Sequence, residues 1–288
     1  MDSKVNISLI TLEGFVGVEK YKFLYFFILL IVYITIICSN CTIVCLIWMH
    51  QNLHEPMYLF IAALLCNSIL FSTVIYPKML MDFLSDKQVI TYSACLLQCF
   101  LYYAFSASEF VLLAVMAYDR YVSICKPLQY PTIMRKNMVK GSLVFAWIFP
   151  TIQVSVPIAL SAETKLCNLS LNGMFCNNLL NKLHCVMSRT VTIYGVIVLL
   201  NVSIFPILFI AFTYTKIFVI THRSCKEVRK KAAETCLPHL LVLINFSCLI
   251  TYEMVIVRVK FDLSNTVRLM MTLQLVICHP LLTQSYMD

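Results

Sequence analysis

The sequence predicts an all-α membrane protein, a bundle of seven transmembrane helices, and three observations carry that expectation. Sixty per cent of its 288 residues are hydrophobic and 12% are charged, whereas a soluble domain carries about 25% charged residues; mean hydropathy is +0.85. Apolar runs of about 20 residues, long enough to cross the hydrocarbon core, recur along the chain. One of them, Tyr92 to Ala117, holds Glu109 as its one Asp, Glu, Lys or Arg and then meets Asp119-Arg120-Tyr121, as a membrane helix does on reaching water. Glycine is scarce, 5 in the chain, and no Gly-rich phosphate loop, HExxH or GxSxG pattern occurs. No enzyme activity, cofactor or metal site is expected.

Taken in order, residues 1–22 form a polar outer tail without the small-residue cleavage site of a signal peptide. Asn6-Ile-Ser8 is a glycosylation acceptor on that tail. The first span covers Phe23–Met49 and contains Asn40, which needs a partner in hydrocarbon. The second, Met57–Met81, opens just after Pro56, whose missing N–H suits a first helical turn; Pro77 predicts a kink or stop. The connection between these two is short, so they pack antiparallel. A polar loop, 82–91, leads to the third span, which Pro127 and Pro131 end by about residue 126. The fourth span, Met138–Leu160, carries Pro150 and Pro157 toward its outer end. Residues 161–190 form a long outer loop with no spanning run. The fifth span, Val191–Ile220, and the sixth, Thr235–Val257, each hold a proline, Pro206 and Pro238, and a basic inner loop, 221–231, joins them. Leu263–Leu282 is the seventh span, and the whole is one domain, 1–288.

Cys95 opens the third helix and Cys167, Cys176 and Cys185 lie in the long outer loop. Four cysteines in an oxidising compartment pair rather than stay free, and four allow three pairings. Lys and Arg divide evenly between the two sides, but the inner ones cluster beside helix ends, which favours an outside N-terminus.

The string Met116-Ala-Tyr-Asp-Arg-Tyr-Val-Ser-Ile-Cys-Lys-Pro-Leu128 resembles the end of the third helix in odorant receptors, a branch of the rhodopsin-like G-protein-coupled receptors. Leu53-His-Glu-Pro-Met-Tyr-Leu-Phe60, Thr213-Tyr-Thr-Lys-Ile217 and Lys231-Ala-Ala-Glu-Thr-Cys-Leu-Pro-His-Leu240 resemble that family's second, fifth and sixth helices. The resemblance covers about residues 20–282, and its wording is most like the fish receptors. It implies a plasma-membrane receptor that binds a small odorant between helices 3, 5 and 6 and signals to a stimulatory G protein. It also implies the pairs Cys95–Cys176 and Cys167–Cys185, with the first pinning the outer loop as a lid.

Within that frame, Tyr102, Tyr103 and Ser106 on the third helix, Ser203 on the fifth and Asn245, Ser247 and Tyr252 on the sixth are the ligand-site candidates. Such polar stripes serve equally as hydrogen-bonding glue between membrane helices. Asp119, Arg120, Tyr121, Tyr214 and His239 are implied as the inner switch facing the G protein, although Asp119-Arg120 alone reads as an interfacial salt bridge. The basic run 229–231 also suits anionic lipid headgroups. Glu109 precedes Arg120 by about three helical turns, so both point the same way. A carboxylate this deep faces the bundle interior, and the resemblance implies a buried cation site with Asn40; here Ser68 stands where the family has a second-helix acid. The plain alternative is a neutral Glu109 carboxyl, because hydrocarbon disfavours charge.

The family's seventh helix closes with Asn-Pro-x-x-Tyr, and this sequence reads Thr283-Gln-Ser-Tyr-Met-Asp288 there. The inner end of the seventh helix is therefore expected to be truncated, and a non-signalling copy or isoform is the alternative within the family. A small transporter or channel is the alternative class; it calls for internal repeats or Gly/Pro-broken helix pairs, which 5 glycines and no evident repeat do not supply.

Overall fold

The computed structural model describes residues 9–14, 21–186, 189–222, 237, 240–250, 274 and 277. The first helix, Lys22–Met49, buries Leu29, Ile36, Asn40 and Ile47, spaced so that they form one stripe; most of its other side chains face outward, as suits lipid contact. The second, Pro56–Leu84, has Pro56 in its first turn and lies against the first. The expected stop at Pro77 does not occur: the helix passes through it to Leu84, so part of the expected 82–91 loop is helical.

The third helix, Tyr92–Cys125, is the axis of the bundle. Its 34 residues rise about 51 Å at ~1.5 Å each, and it touches the second, fourth and fifth helices. Thr91 caps its start, its Oγ1 accepting from Ala94 N at 3.3 Å. It ends where Pro127 requires, and a short helical turn follows at Tyr130–Ile133.

The fourth helix, Lys136–Ala162, runs through both Pro150 and Pro157. The fifth, Arg189–His222, is interrupted by a π turn at Leu200–Ile204, where Phe205 N–H donates to Leu200 O five residues back. Pro206 follows at once, and its missing N–H explains why the α ladder is rearranged just before it. Leu240–Ile250 is the described part of the sixth helix. Asn6, the inner loop 223–231, Pro238, His239, Tyr252, nearly all of the seventh span and the 283–288 end lie outside the described residues.

The N-terminal tail is not merely a polar leader. Strand β1, Leu9–Leu12, sits between β2, Val89–Thr91, and β3, Ser170–Leu171. It pairs antiparallel with β2, Ile10 opposite Ile90, and parallel with β3, Leu12 opposite Leu171. Alternate side chains Ile10 and Leu12 turn inward onto the outer core, beside Tyr76, Tyr102, Phe175 and Leu183. Beyond the strand, Gly14 N donates to Gly173 O at 3.2 Å. A Cβ at Gly14 would lie 2.5 Å from the Gly173 carbonyl carbon, so only glycine fits. A second, inner core gathers Phe110, Ile210, Tyr214, Val242 and Phe246; the Phe110 and Phe246 rings, 4.8 Å apart, join the third and sixth helices.

Candidate functional site

The outer loop is fixed at several points. Cys95 and Cys176 form one disulfide, with Cα atoms 5.3 Å apart, and Cys167 and Cys185 form the other, the pairing that the resemblance implies. Beside the first bridge, Cys176 N donates to Gln98 Oε1 at 3.0 Å while Gln98 Nε2 donates to Val74 O at 3.1 Å. One side chain thus ties loop, third helix and second helix. Tyr92 OH donates to Ser161 O at 2.8 Å and lies 3.2 Å from His184 Nε2, and burial pushes the His184 imidazole pKa below its ordinary value.

Beneath this lid is a cavity of about 280 Å³. Tyr103, Ser106 and Phe110 of the third helix, Val154 and Ser161 of the fourth, and Val198, Val202 and Ser203 of the fifth line it. Asn177, Leu180 and Asn181 of the loop close it from above, and Ile250 of the sixth helix reaches it. The π turn is what presents Val202 and Ser203 inward. Among the described residues no charged side chain lines it.

Three of the candidate ligand residues, Tyr103, Ser106 and Ser203, meet here. Tyr102 does not: it is fully buried, its ring packed 5.3 Å from Phe71, 5.3 Å from Phe175 and 4.9 Å from Tyr103. Tyr102 and Ser106, four residues apart, share one face of the third helix, but at the level of Tyr102 that face meets the second helix and the loop. Asn245 and Ser247 are not among the lining residues either. The fourth-helix wall and the loop amides went unrecognised in the sequence; the polar positions Ser161, Asn177 and Asn181 were visible there but had no helical periodicity to align them.

At the inner end Asp119 is 1% exposed. Arg120 Nη2 donates to its Oδ2 at 2.6 Å, and Tyr130 OH donates to its Oδ1 at 2.8 Å. Burial, and then the Asp119 carboxylate, hold the Tyr130 phenol well above its ordinary pKa, so it stays a donor. Tyr130 was missed because it lies beyond the helix, after Pro127. Tyr214 is buried in the inner core and Tyr121 packs against it.

Midway, Glu109 is 2% exposed, and Asn40 and Ser68 are buried in the first and second helices. Asn40 Nδ2 donates to Ile36 O at 2.7 Å, and Asn67 Nδ2 donates across to Phe105 O at 3.0 Å. Asn40 Oδ1, Asn67 Oδ1, Ser68 Oγ and Ser72 Oγ have no hydrogen-bond partner among the described residues. No group of three or more metal-ligating side chains is found among the described residues.

Residues 29–285 match the family model described as "Olfactory receptor". The chain belongs to the olfactory receptor family. Its fold is accordingly that family's seven-helix bundle, and it is a multi-pass membrane receptor rather than an enzyme. The receptor is 35% identical to the olfactory receptor-like protein COR2 of Gallus gallus over 245 residues, 82% of this chain and 76% of the relative. Olfactory receptor 6J1 of Homo sapiens is 33% identical over 236 residues, 81% of this chain and 68% of the relative. Olfactory receptor 6E1 of Mus musculus is 33% identical over 258 residues, 88% and 82% of the two chains.

Proposed function

We propose that this receptor binds a small odorant in the cavity under the disulfide-pinned loop and passes the event down the third helix to a heterotrimeric, stimulatory G protein at the plasma membrane. The N-terminus is outside and Asn6 is glycosylated. The single observation that carries the reading is the lidded, largely apolar cavity with a few converging polar groups, the usual form of a small-molecule site. Tyr103, Ser106 and Ser203 are the contacts on the third and fifth helices. Asn245, Ser247 and Tyr252 contribute from the sixth helix.

The inner triplet supports the second half. Asp119 holds Arg120 and Tyr130 together in a closed arrangement; a ligand that favours the state in which this cluster opens shifts the population toward it and frees Arg120 for the G protein. Tyr121, Tyr214 and His239 complete the inner face. Asn40, Ser68 and Glu109 form the buried polar site between, where Asn40 Oδ1 and Ser68 Oγ, which have no hydrogen-bond partner among the described residues, can accept from water or coordinate a small cation.

A ligand panel on cells expressing the chain, read by cAMP with surface staining of the same cells, tests this. A dose-dependent rise that Ser106→Trp abolishes at equal surface level is the expected result. A response that survives filling the cavity overturns the site.

A further inference from the structure

Two of the hydroxyls in the cavity, those of Ser106 and Ser161, are not equivalent to free hydroxyls. A serine has one proton to donate and two lone pairs to accept with. Ser106 Oγ donates its proton to Tyr102 O at 2.8 Å, and Ser161 Oγ donates to Pro157 O, also at 2.8 Å, each one turn back along its own helix. Ser106 is 3% exposed and Ser161 3% exposed, and both line the cavity, one from the third helix and one from the fourth. With their protons committed, what both oxygens offer the cavity is lone pairs.

Resting on the binding site proposed above, we propose that the cavity selects uncharged ligands that carry a hydrogen-bond donor, an alcohol or phenol O–H above all, over ligands of the same shape that only accept. A ligand O–H adds a bond to Ser106 Oγ or Ser161 Oγ while the serine keeps its own. A ketone or ether gains a bond from these serines only if a hydroxyl turns away from its carbonyl, an exchange with no net gain. The absence of charge among the described lining residues disfavours ammonium and carboxylate ligands, since a charge brought into this cavity has no counter-charge. At about 280 Å³ the cavity is at the small end of ligand pockets, so the ligand is compact. The loop amides Asn177 and Asn181 meet its other end.

The difference amounts to one net hydrogen bond, roughly a threefold to tenfold preference. The test uses the purified full chain in lipid nanodiscs and reads thermal stabilisation, which needs no G protein. The probes are compact cyclic and linear alcohols, each with its methyl ether and its ketone. Alcohols are expected to bind roughly threefold to tenfold tighter than their ethers and ketones; Ser106→Ala with Ser161→Ala removes the preference by weakening the alcohols alone, and Ser106→Thr with Ser161→Thr, which can form the same bonds back to the helix, restores it. Equal binding of alcohols and ethers, or a preference that survives both alanines, overturns the donor proposal while leaving the site standing. If no neutral probe stabilises the chain and Ser106→Trp changes nothing, the site itself is wrong and this proposal falls with it.

Discussion

The first and third helices are both long enough to cross the membrane, yet they do opposite work. The first is the more apolar and the less buried: Leu29, Ile36, Asn40 and Ile47 face the bundle while Ile31, Ile34 and Trp48 are exposed. The third carries Ser, Gln, Glu and Asp and is buried along most of its length, with Gln98, Ser106, Ser108, Glu109 and Asp119 all buried. In water the more apolar helix would be the inner one. In a bilayer lipid welcomes apolar side chains, so the polar ones go inside, where other helices and the loop satisfy them. Polarity along a span is therefore the guide to the functional axis.

The sharpest way to break this contrast is to cut the third helix from its lid. Cys95→Ser or Cys176→Ser should nearly abolish surface delivery, since losing a native disulfide costs about 2–5 kcal/mol in small secreted domains; surface staining checks it. A link from Cys95 to Cys167 or Cys185 in peptides of the unreduced protein would refute the pairing. Next in size is Arg120→Ala, expected to keep surface level near normal and to lose the agonist cAMP signal. Leu112 is fully buried on the third helix and Ile31 is 64% exposed on the first. Leu112→Ala should cost about 2–5 kcal/mol and Ile31→Ala about 0.5 kcal/mol or less, read as thermal midpoints in nanodiscs. Equal losses would erase the distinction between the two helices.

Much of this contrast was legible in the sequence. Apolar length gave the first five spans within a few residues, and Asp119-Arg120 lies in the last two turns of the third. The two disulfides followed from family resemblance, since four cysteines leave three pairings open. Other features rest on contacts far apart in the chain. Strand β1 is a four-residue stretch whose partners are at 89–91 and 170–171, and only the assembled sheet explains Gly14. The π turn at 200–204 depends on how Pro206 is accommodated, and the inward turn of Ser161 depends on which face the fourth helix presents.

The smallest expected effect concerns pH. Burial depresses the His184 pKa, so the folded lid favours the neutral ring. Its contribution is full above the ordinary histidine value near 6.5 and is lost as pH falls through the lower folded value. Thermal stability should therefore drop modestly at mildly acidic pH, and His184→Gln should flatten that drop. A profile unchanged by the substitution would remove His184 from the lid's energetics.

The account rests on the third helix carrying the ligand site and the exposed face of the first meeting only lipid. Two tryptophans measure this directly, Ser106→Trp in the cavity and Ile31→Trp on the exposed face of the first helix, compared by agonist potency for cAMP at matched surface level. The account predicts at least a roughly tenfold potency loss, about 1.4 kcal/mol, for Ser106→Trp and a wild-type response for Ile31→Trp. Equal potencies for the two variants, or a loss confined to Ile31→Trp, would contradict it.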